Sequence, residues 1–221
     1  MRTLFFDVET TGLPTNKYPP HHEQQPHITQ LGLILEINGV DAIALDTFIQ
    51  PDNWRIHPCS GNGISAKSTE LTGITMEMCE DSGIPIRDAL EIFMIAADAA
   101  DAIVCHNSAF DTKIMGMEYT RLRPNAPPKE ILNGLPTLCT MKTATPICKL
   151  PKGDGRRDFK WPRLEEAMMF FFNEELVGAH SAIVDITATR RIFHELINRG
   201  AFDEQFYELK KTGKLPKEYG L

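Results

Sequence analysis

The sequence predicts an α/β fold: a mixed sheet with three N-terminal strands, the second and third an antiparallel hairpin, flanked by helices. Three observations carry that expectation. A short apolar and aromatic run at residues 3–8 has the composition of a buried strand. Asn38-Gly39 sits between two apolar-rich runs, residues 28–37 and 40–49, and that dipeptide favours the two-residue turn of a hairpin. Further along, helical spacings alternate with short apolar runs, the order expected when helices cover a sheet.

The elements follow in chain order. Gly12-Leu13-Pro14 ends the first strand, and the polar stretch 14–27, holding Pro19, Pro20 and Pro26, reads as a loop. His21, His22 and His27 lie there without regular ligand spacing, so solvent exposure is expected rather than a metal site. Residues 51–63 read as a second loop and 66–71 as a short helix. Residues 85–100 carry Ile86, Leu90, Phe93 and Ala97 at helical spacing, with Pro85 suited to the first turn. Residues 102–105 read as a short buried strand, 109–122 as a helix and 138–140 as another short strand. A Gly- and charge-rich loop spans 150–160, followed by helices at 164–172 and 181–198, with Gly200 near the stop of the last. The run Met168-Met169-Phe170-Phe171-Phe172 is expected to be a helix end packed into the core. One domain is expected over 1–200, with 201–221 a C-terminal helix or tail packed on it or extending from it.

Composition narrows the function classes. At 221 residues with 42% apolar and 24% charged residues, the chain is globular and large enough to bury a core unaided by disulfides. Five cysteines, at 59, 79, 105, 139 and 148, form no C-x-x-C pair, so reduced, buried thiols are expected. No apolar run approaches the roughly 18 residues that span a bilayer. Asp7 falls where a secretory signal would keep its apolar core, so a cytoplasmic chain without a membrane partner is expected. The formal charge of −7 weighs against passive coating of nucleic acid. It leaves a metal-dependent nuclease open, because two chelated divalent cations would offset four of those charges.

Three constellations carry chemistry. Asp7-x-Glu9 ends the first strand, where alternate residues project to one face. Two acids held so close repel unless a cation lies between them, and hard divalent cations favour such oxygens. A solvated strand end would read the same way. Thr10-Thr11-Gly12 follows, and the glycine allows backbone amides to approach a ligand. The second constellation is His106-Asn107-Ser108-Ala109-Phe110-Asp111, directly after an apolar strand. A strand end leading into a helix start is a common site geometry. Equally, Asn107 or Ser108 could cap the helix while Asp111 complements its dipole. The third is His180-Ser181-Ala182-Ile183-Val184-Asp185. With Ser181 as cap, Ala182, Asp185, Thr189, Ile192 and Leu196 share one stripe, and a carboxylate facing the core needs a partner or a metal. The competing reading pairs Asp185 with Arg190 or Arg191, although both lie elsewhere on the helical wheel.

Taken together, Phe6-Asp7-Val8-Glu9-Thr10-Thr11-Gly12-Leu13-Pro14, the 106–111 motif and the 180–185 motif resemble the DEDDh family of 3′–5′ exonucleases. That family is the proofreading-exonuclease branch of the ribonuclease H-like superfamily. Weaker similarity lies in Pro26-His27-Ile28-Thr29-Gln30-Leu31-Gly32 and in Leu71-Thr72-Gly73-Ile74-Thr75, where Leu71-Thr72 departs from the family's Ile-His. The resemblance covers roughly residues 3–197. It implies that Asp7, Glu9, Asp111 and Asp185 bind two Mg²⁺ or Mn²⁺ ions, and that His180 is the general base. It also implies that Thr10, Thr11, Gly12 and Asn107 lie around the terminal nucleotide, with Leu13 and Phe110 near its base. The implied activity is hydrolysis at the 3′ end of single-stranded or frayed DNA, releasing nucleoside 5′-monophosphates. The implied partner is that nucleic-acid end, with a polymerase or another replication or repair protein as a further one.

Lys149, Lys152, Arg156, Arg157 and Lys160 form a basic loop. Arg156, Arg157 and Lys160 are its candidate phosphate contacts, against the alternative of a solvated loop. The acids do not separate DNA from RNA, since sugar choice depends on the 2′-OH. An exoribonuclease, an inert nucleic-acid-binding subunit and a small-nucleotide hydrolase therefore stand as alternatives.

Overall fold

The computed structural model describes residues 1–51, 63–132, 134–153 and 158–202. Its frame is a five-stranded sheet of β1 (Arg2–Thr10), β2 (Ile28–Ile37), β3 (Val40–Phe48), β4 (Ala102–Cys105) and β5 (Thr137–Cys139). The spatial order is β3-β2-β1-β4-β5. β1 runs antiparallel to β2 and parallel to β4, β2 is antiparallel to β3, and β4 is parallel to β5. This is the expected mixed sheet.

The β2–β3 turn forms where Asn38-Gly39 predicts it. Both residues have positive φ, 51° and 81°, which the two-residue hairpin turn requires and which this dipeptide tolerates best. β3 is the outer strand and alternates exposed with half-buried positions. β2 and β4 are buried almost throughout, because helices cover both faces of the sheet.

Strand alternation divides the core. Leu4, Phe6 and Val8 of β1 with Leu31, Leu33 and Leu35 of β2 face one side. There they meet α3 (Ile86–Ala99) and α4 (Ser108–Leu122). Phe5, Ile34 and Val104 face the other side. They pack against α5 (Thr140–Cys148), α6 (Leu164–Phe172) and α7 (Ala182–Asn198). Phe5 meets Phe193 edge-on at 5.4 Å, and Phe6 meets Phe93 at 4.9 Å on the opposite face.

α1 (Ala66–Thr72), α3, α4, α6 and α7 fall where the sequence predicts helices. Pro85 is the residue before α3 rather than part of its first turn. α2 (Met76–Ser82), α5 and a 3₁₀ turn at Pro128–Leu132 are additions to the predicted elements. Ser108 and Asn107 make no side-chain cap on α4, and Asn107 instead adopts the left-handed conformation at φ 69°. Met168 is buried, whereas Met169 and Phe170 are exposed, so the aromatic run is only partly core. Cys79, Cys105, Cys139 and Cys148 are free and buried; Cys59 lies outside the described residues, as do 203–221 and most of the 51–63 loop. Among the described residues, no helix is long and apolar enough to cross a membrane.

His27 corrects the expectation of solvent exposure. Its ring is 3.2 Å from Glu118, a buried acid that also accepts from the backbone of Ile28 and pairs with Arg121. Burial alone would push Glu118 up. Hydrogen bonds from His27 and Arg121, with their charges, overcome it and hold Glu118 below its ordinary value. This cluster clamps the end of the 14–27 loop to α4.

Candidate active site

The sheet and two helix starts bring the predicted acids together. Asp7 and Glu9 project from β1 on the face covered by α7, and their cross-strand partners on β2 are Gly32 and Gln30. A register shift between Glu9 and Thr10 ends the regular pairing there, as a bulge beside a functional edge does. Asp111 sits in the first turn of α4 and is 2% exposed. Its Oδ1 accepts from the backbone of Val8 at 3.3 Å, which ties the helix start to the strand bearing Asp7 and Glu9. Asp185 sits in the first turn of α7, and its Oδ2 accepts from the backbone of His180 at 3.2 Å. Arg190 pairs with Asp41 and Arg191 with Glu174, so neither takes the partner role for Asp185.

These four carboxylates disturb one another. Burial first, and then the charges of Asp111 and Asp185, push Asp7 well above the ordinary carboxylate range. Burial, helped by Asp7 and Asp185, pushes Glu9 up to about 9. Asp111 is raised well above its usual value by burial, against the pull of backbone amides that include Val8. Burial raises Asp185 to about 6, opposed by its hydrogen bond from His180 and the His180 charge. A cluster that holds protons this firmly is short of positive charge.

The donor set fits a divalent cation. The Oδ1 of Asp185 is buried with no hydrogen-bond partner, a costly state that a cation would relieve. Glu9, His180 and Asp185 each offer a ligand atom, all within 4.8 Å of one another, and hard divalent cations take such carboxylate oxygens. His180 has φ 68° and half-exposed surroundings; its Nε2 lies 3.9 Å from Glu165 in the first turn of α6.

The expected nucleotide contacts surround this cluster unevenly. Thr10 and Thr11 are buried, and their hydroxyls shape the turn: Thr10 donates to the Gly12 carbonyl at 2.7 Å, and Thr11 accepts from the His27 backbone at 3.0 Å. A Cβ on Gly12 would meet nothing within 4 Å, so the space there is open. Leu13 is 78% exposed, Asn107 is exposed, and Phe110 packs partly against the core. Lys152 and Lys160 pair with Asp158 and Glu166, so a phosphate at Lys160 would compete with a carboxylate. Arg156 and Arg157 lie outside the described residues.

Sequence reasoning missed four residues that build the site. Gln30 is buried; its Oε1 accepts from the backbone of Ala182 at 3.2 Å and its Nε2 donates to Asp46 at 2.8 Å. Gly32 lets α7 approach: a Cβ there would stand 2.5 Å from Ile186 and 2.9 Å from the Ala182 side chain. Both residues lie in the 26–32 segment, but no sequence signal assigns them this task. Glu165 carried no signal either. His106 was read only as part of its motif. Burial lowers it to about 4, so its imidazole is neutral. Nε2–H donates to the Pro162 carbonyl at 3.0 Å, and Nδ1 accepts from Thr140 at 2.9 Å.

Comparison with known proteins places the chain in a family and gives its fold. The family model RNase_T, described as Exonuclease, matches residues 4–193. A DNA polymerase III PolC-type of Caldanaerobacter subterraneus subsp. tengcongensis is 26% identical over 196 residues, covering 89% of this chain and 12% of the polymerase. A crystal structure of E. coli exonuclease I in complex with a dT13 oligonucleotide superposes with TM-score 0.67 at 17% identity. It covers 94% of this chain and 43% of that one. A zinc-ion-bound form of an E. coli exonuclease I–single-stranded DNA complex gives TM-score 0.68 at 18% identity, covering 93% of this chain and 43% of that one. The chain thus spans under half the length of each.

Proposed function

Because the chain belongs to the RNase_T exonuclease family, a DEDD-type branch of the ribonuclease H-like superfamily, we propose that it is a metal-dependent 3′–5′ exonuclease acting on single-stranded or frayed DNA. The observation that carries this reading is the proton-holding acid cluster with an orphaned Asp185 oxygen beside His180. DNA is favoured over RNA as substrate because the relatives are a DNA polymerase and a nuclease bound to DNA oligonucleotides. The PolC-type relative supports a polymerase as partner.

Asp7, Glu9, Asp111 and Asp185 would hold two divalent cations, Mg²⁺ or Mn²⁺. When bound, the pair supplies a nucleophile at neutral pH and charge stabilisation at the leaving 3′ oxygen. The chain's residues do the rest. Asp111 and Asp185 keep their helix starts fixed against β1 and the His180 backbone, so the oxygens face one space. His180, half-exposed and held beside Asp185, takes the proton of the attacking water. Gly12 leaves room for the terminal nucleotide, and Leu13 and Phe110 flank its base. The expected product is a nucleoside 5′-monophosphate.

The test is digestion of a 5′-labelled single-stranded DNA and a matched RNA, with Mg²⁺, Mn²⁺ or EDTA, beside the Asp7→Ala and His180→Ala proteins. A metal-dependent ladder shortening from the 3′ end, lost in both variants and faster on DNA, is expected. Faster shortening of RNA would move the substrate to the exoribonuclease class. No cleavage of either strand would overturn the reading.

A further inference from the structure

The segment between the basic loop and α6 holds a large aromatic side chain in water, next in the chain to the Pro162 carbonyl that His106 binds. Trp161 is 62% exposed, although indole is among the costliest side chains to leave wetted. The backbone around it is tied down on both sides. Phe159 bridges to Pro151, Lys160 N–H donates to the Leu150 carbonyl at 2.9 Å, and the Pro162 carbonyl accepts from His106 at 3.0 Å. Pro162 itself is buried. Arg163 N–H then donates to Glu166 at 2.9 Å and opens α6. Trp161 is therefore displayed by a backbone tied to Leu150 on one side and to His106 and Glu166 on the other.

Its location points to an occupant. His106 directly follows β4 and precedes the helix bearing Asp111, so the Pro162 contact fixes this loop at the active end of the sheet. Glu165, four residues on, lies 3.9 Å from His180. The local charge is opposite to that of the whole chain. Residues 149–163 hold six basic and two acidic side chains within a protein of net charge −7. Of the described cations, Lys152 and Lys160 are paired with Asp158 and Glu166, while Lys149 and Arg163 are exposed. An exposed aromatic with cations nearby in the chain is the pairing by which proteins hold unpaired nucleic acid, the cations meeting phosphates and the ring stacking on bases.

We propose that Trp161 is a stacking platform for an unpaired base of the substrate strand on the 5′ side of the terminal nucleotide. This inference rests on the proposed exonuclease reading and extends the site beyond the residues that surround the scissile phosphate. Stacking tolerates any base, so the platform selects single-stranded over paired ends without selecting sequence.

The experiment compares wild type, Trp161→Ala and Trp161→Phe in two measurements. The first is affinity for a fluorescein-labelled oligothymidylate in EDTA, by anisotropy. The second is Mn²⁺-dependent turnover of the 4-nitrophenyl ester of thymidine 5′-monophosphate, which carries no base beyond the terminal nucleotide. Trp161→Ala is expected to weaken oligonucleotide affinity roughly five- to a hundredfold, the loss of one stacked base. Trp161→Phe should restore most of it, and ester turnover should stay unchanged in both. Equal oligonucleotide affinity in wild type and Trp161→Ala would overturn the platform, and so would an equal loss in ester turnover, which would make the tryptophan a support for the catalytic residues. Trp161-dependent binding by a wild-type protein that hydrolyses neither ester nor strand would uphold the platform while overturning the exonuclease reading.

Discussion

Loading the acid cluster with a divalent cation should expel protons. Glu9 is pushed up to about 9, so at pH 7 it is about 99% protonated, whereas ligation needs the carboxylate. Asp185, raised to about 6, is mostly ionised at pH 7 and holds a proton for the cation to displace only in more acidic solution. Between pH 6 and 9, cation binding therefore displaces at least the Glu9 proton, which makes apparent affinity rise at least about tenfold per pH unit; that Glu9 contribution ends above about 9. Asp7 and Asp111 are raised in the same direction, so they can steepen that slope but not reverse it. The stability of the cation-free chain runs the other way. Glu9 is held above its ordinary value of 4.5, so the folded state binds its proton more tightly. That contribution is present at low pH and is lost as pH rises through about 9. Calorimetric titration with Mn²⁺ in two buffers of unequal protonation enthalpy counts the protons. About one or more should be released near pH 7.5, and fewer, by the Glu9 proton, once pH passes about 9.5. Affinity independent of both pH and buffer would refute the reasoning, since the acids would then be ionised without any cation to share them.

Further outcomes follow from the same geometry. His180→Ala should lower the maximal rate of hydrolysis about 10²- to 10⁴-fold, the usual contribution of a general base; an unchanged rate in a 5′-label digestion assay would remove His180 from that role. Gly32→Ala drives a Cβ to 2.5 Å from Ile186 and 3.0 Å from the Ala182 backbone. It should cost about 1–3 kcal/mol in urea unfolding and depress turnover as α7 and Asp185 move; wild-type turnover would show that the cluster tolerates a displaced helix. Gln30→Ala strands the Ala182 N–H in a buried position and should cost about 1–3 kcal/mol, with a loss in turnover that Gln30→Leu does not repair. Glu118→Ala leaves His27, the Ile28 N–H and Arg121 without their shared acceptor. It should cost about 3–5 kcal/mol, read as a lowered thermal midpoint. Because Glu118 is held below its ordinary value, its contribution is present above about pH 4.5 and is lost as pH falls through the folded value.

The parts of this protein that a sequence reader can see are those where a local pattern breaks. Asn38-Gly39 interrupts two apolar runs, and the hairpin forms around it with both residues at positive φ. Asp7 and Glu9 interrupt an apolar strand, and Asp185 interrupts an apolar helical stripe; each break marks an acid of the cluster. α2 is illegible for the opposite reason: Cys79 is its only buried residue, so it shows no apolar period. α5 contains Pro146 within its helix and follows β5 without a gap, which hides its start and argues against its middle. The supports of the site are harder still. Gln30 meets the amide of Ala182 across 152 positions of chain, and Gly32 matters because of what it lacks. A missing side chain and a backbone amide leave no chemical trace at their own positions. The acids are written in the sequence because their chemistry demands particular side chains, whereas their mutual approach depends on how closely α7 can lie against β2. Whether the four carboxylates act as one cluster is thus decided at residues that bear no charge.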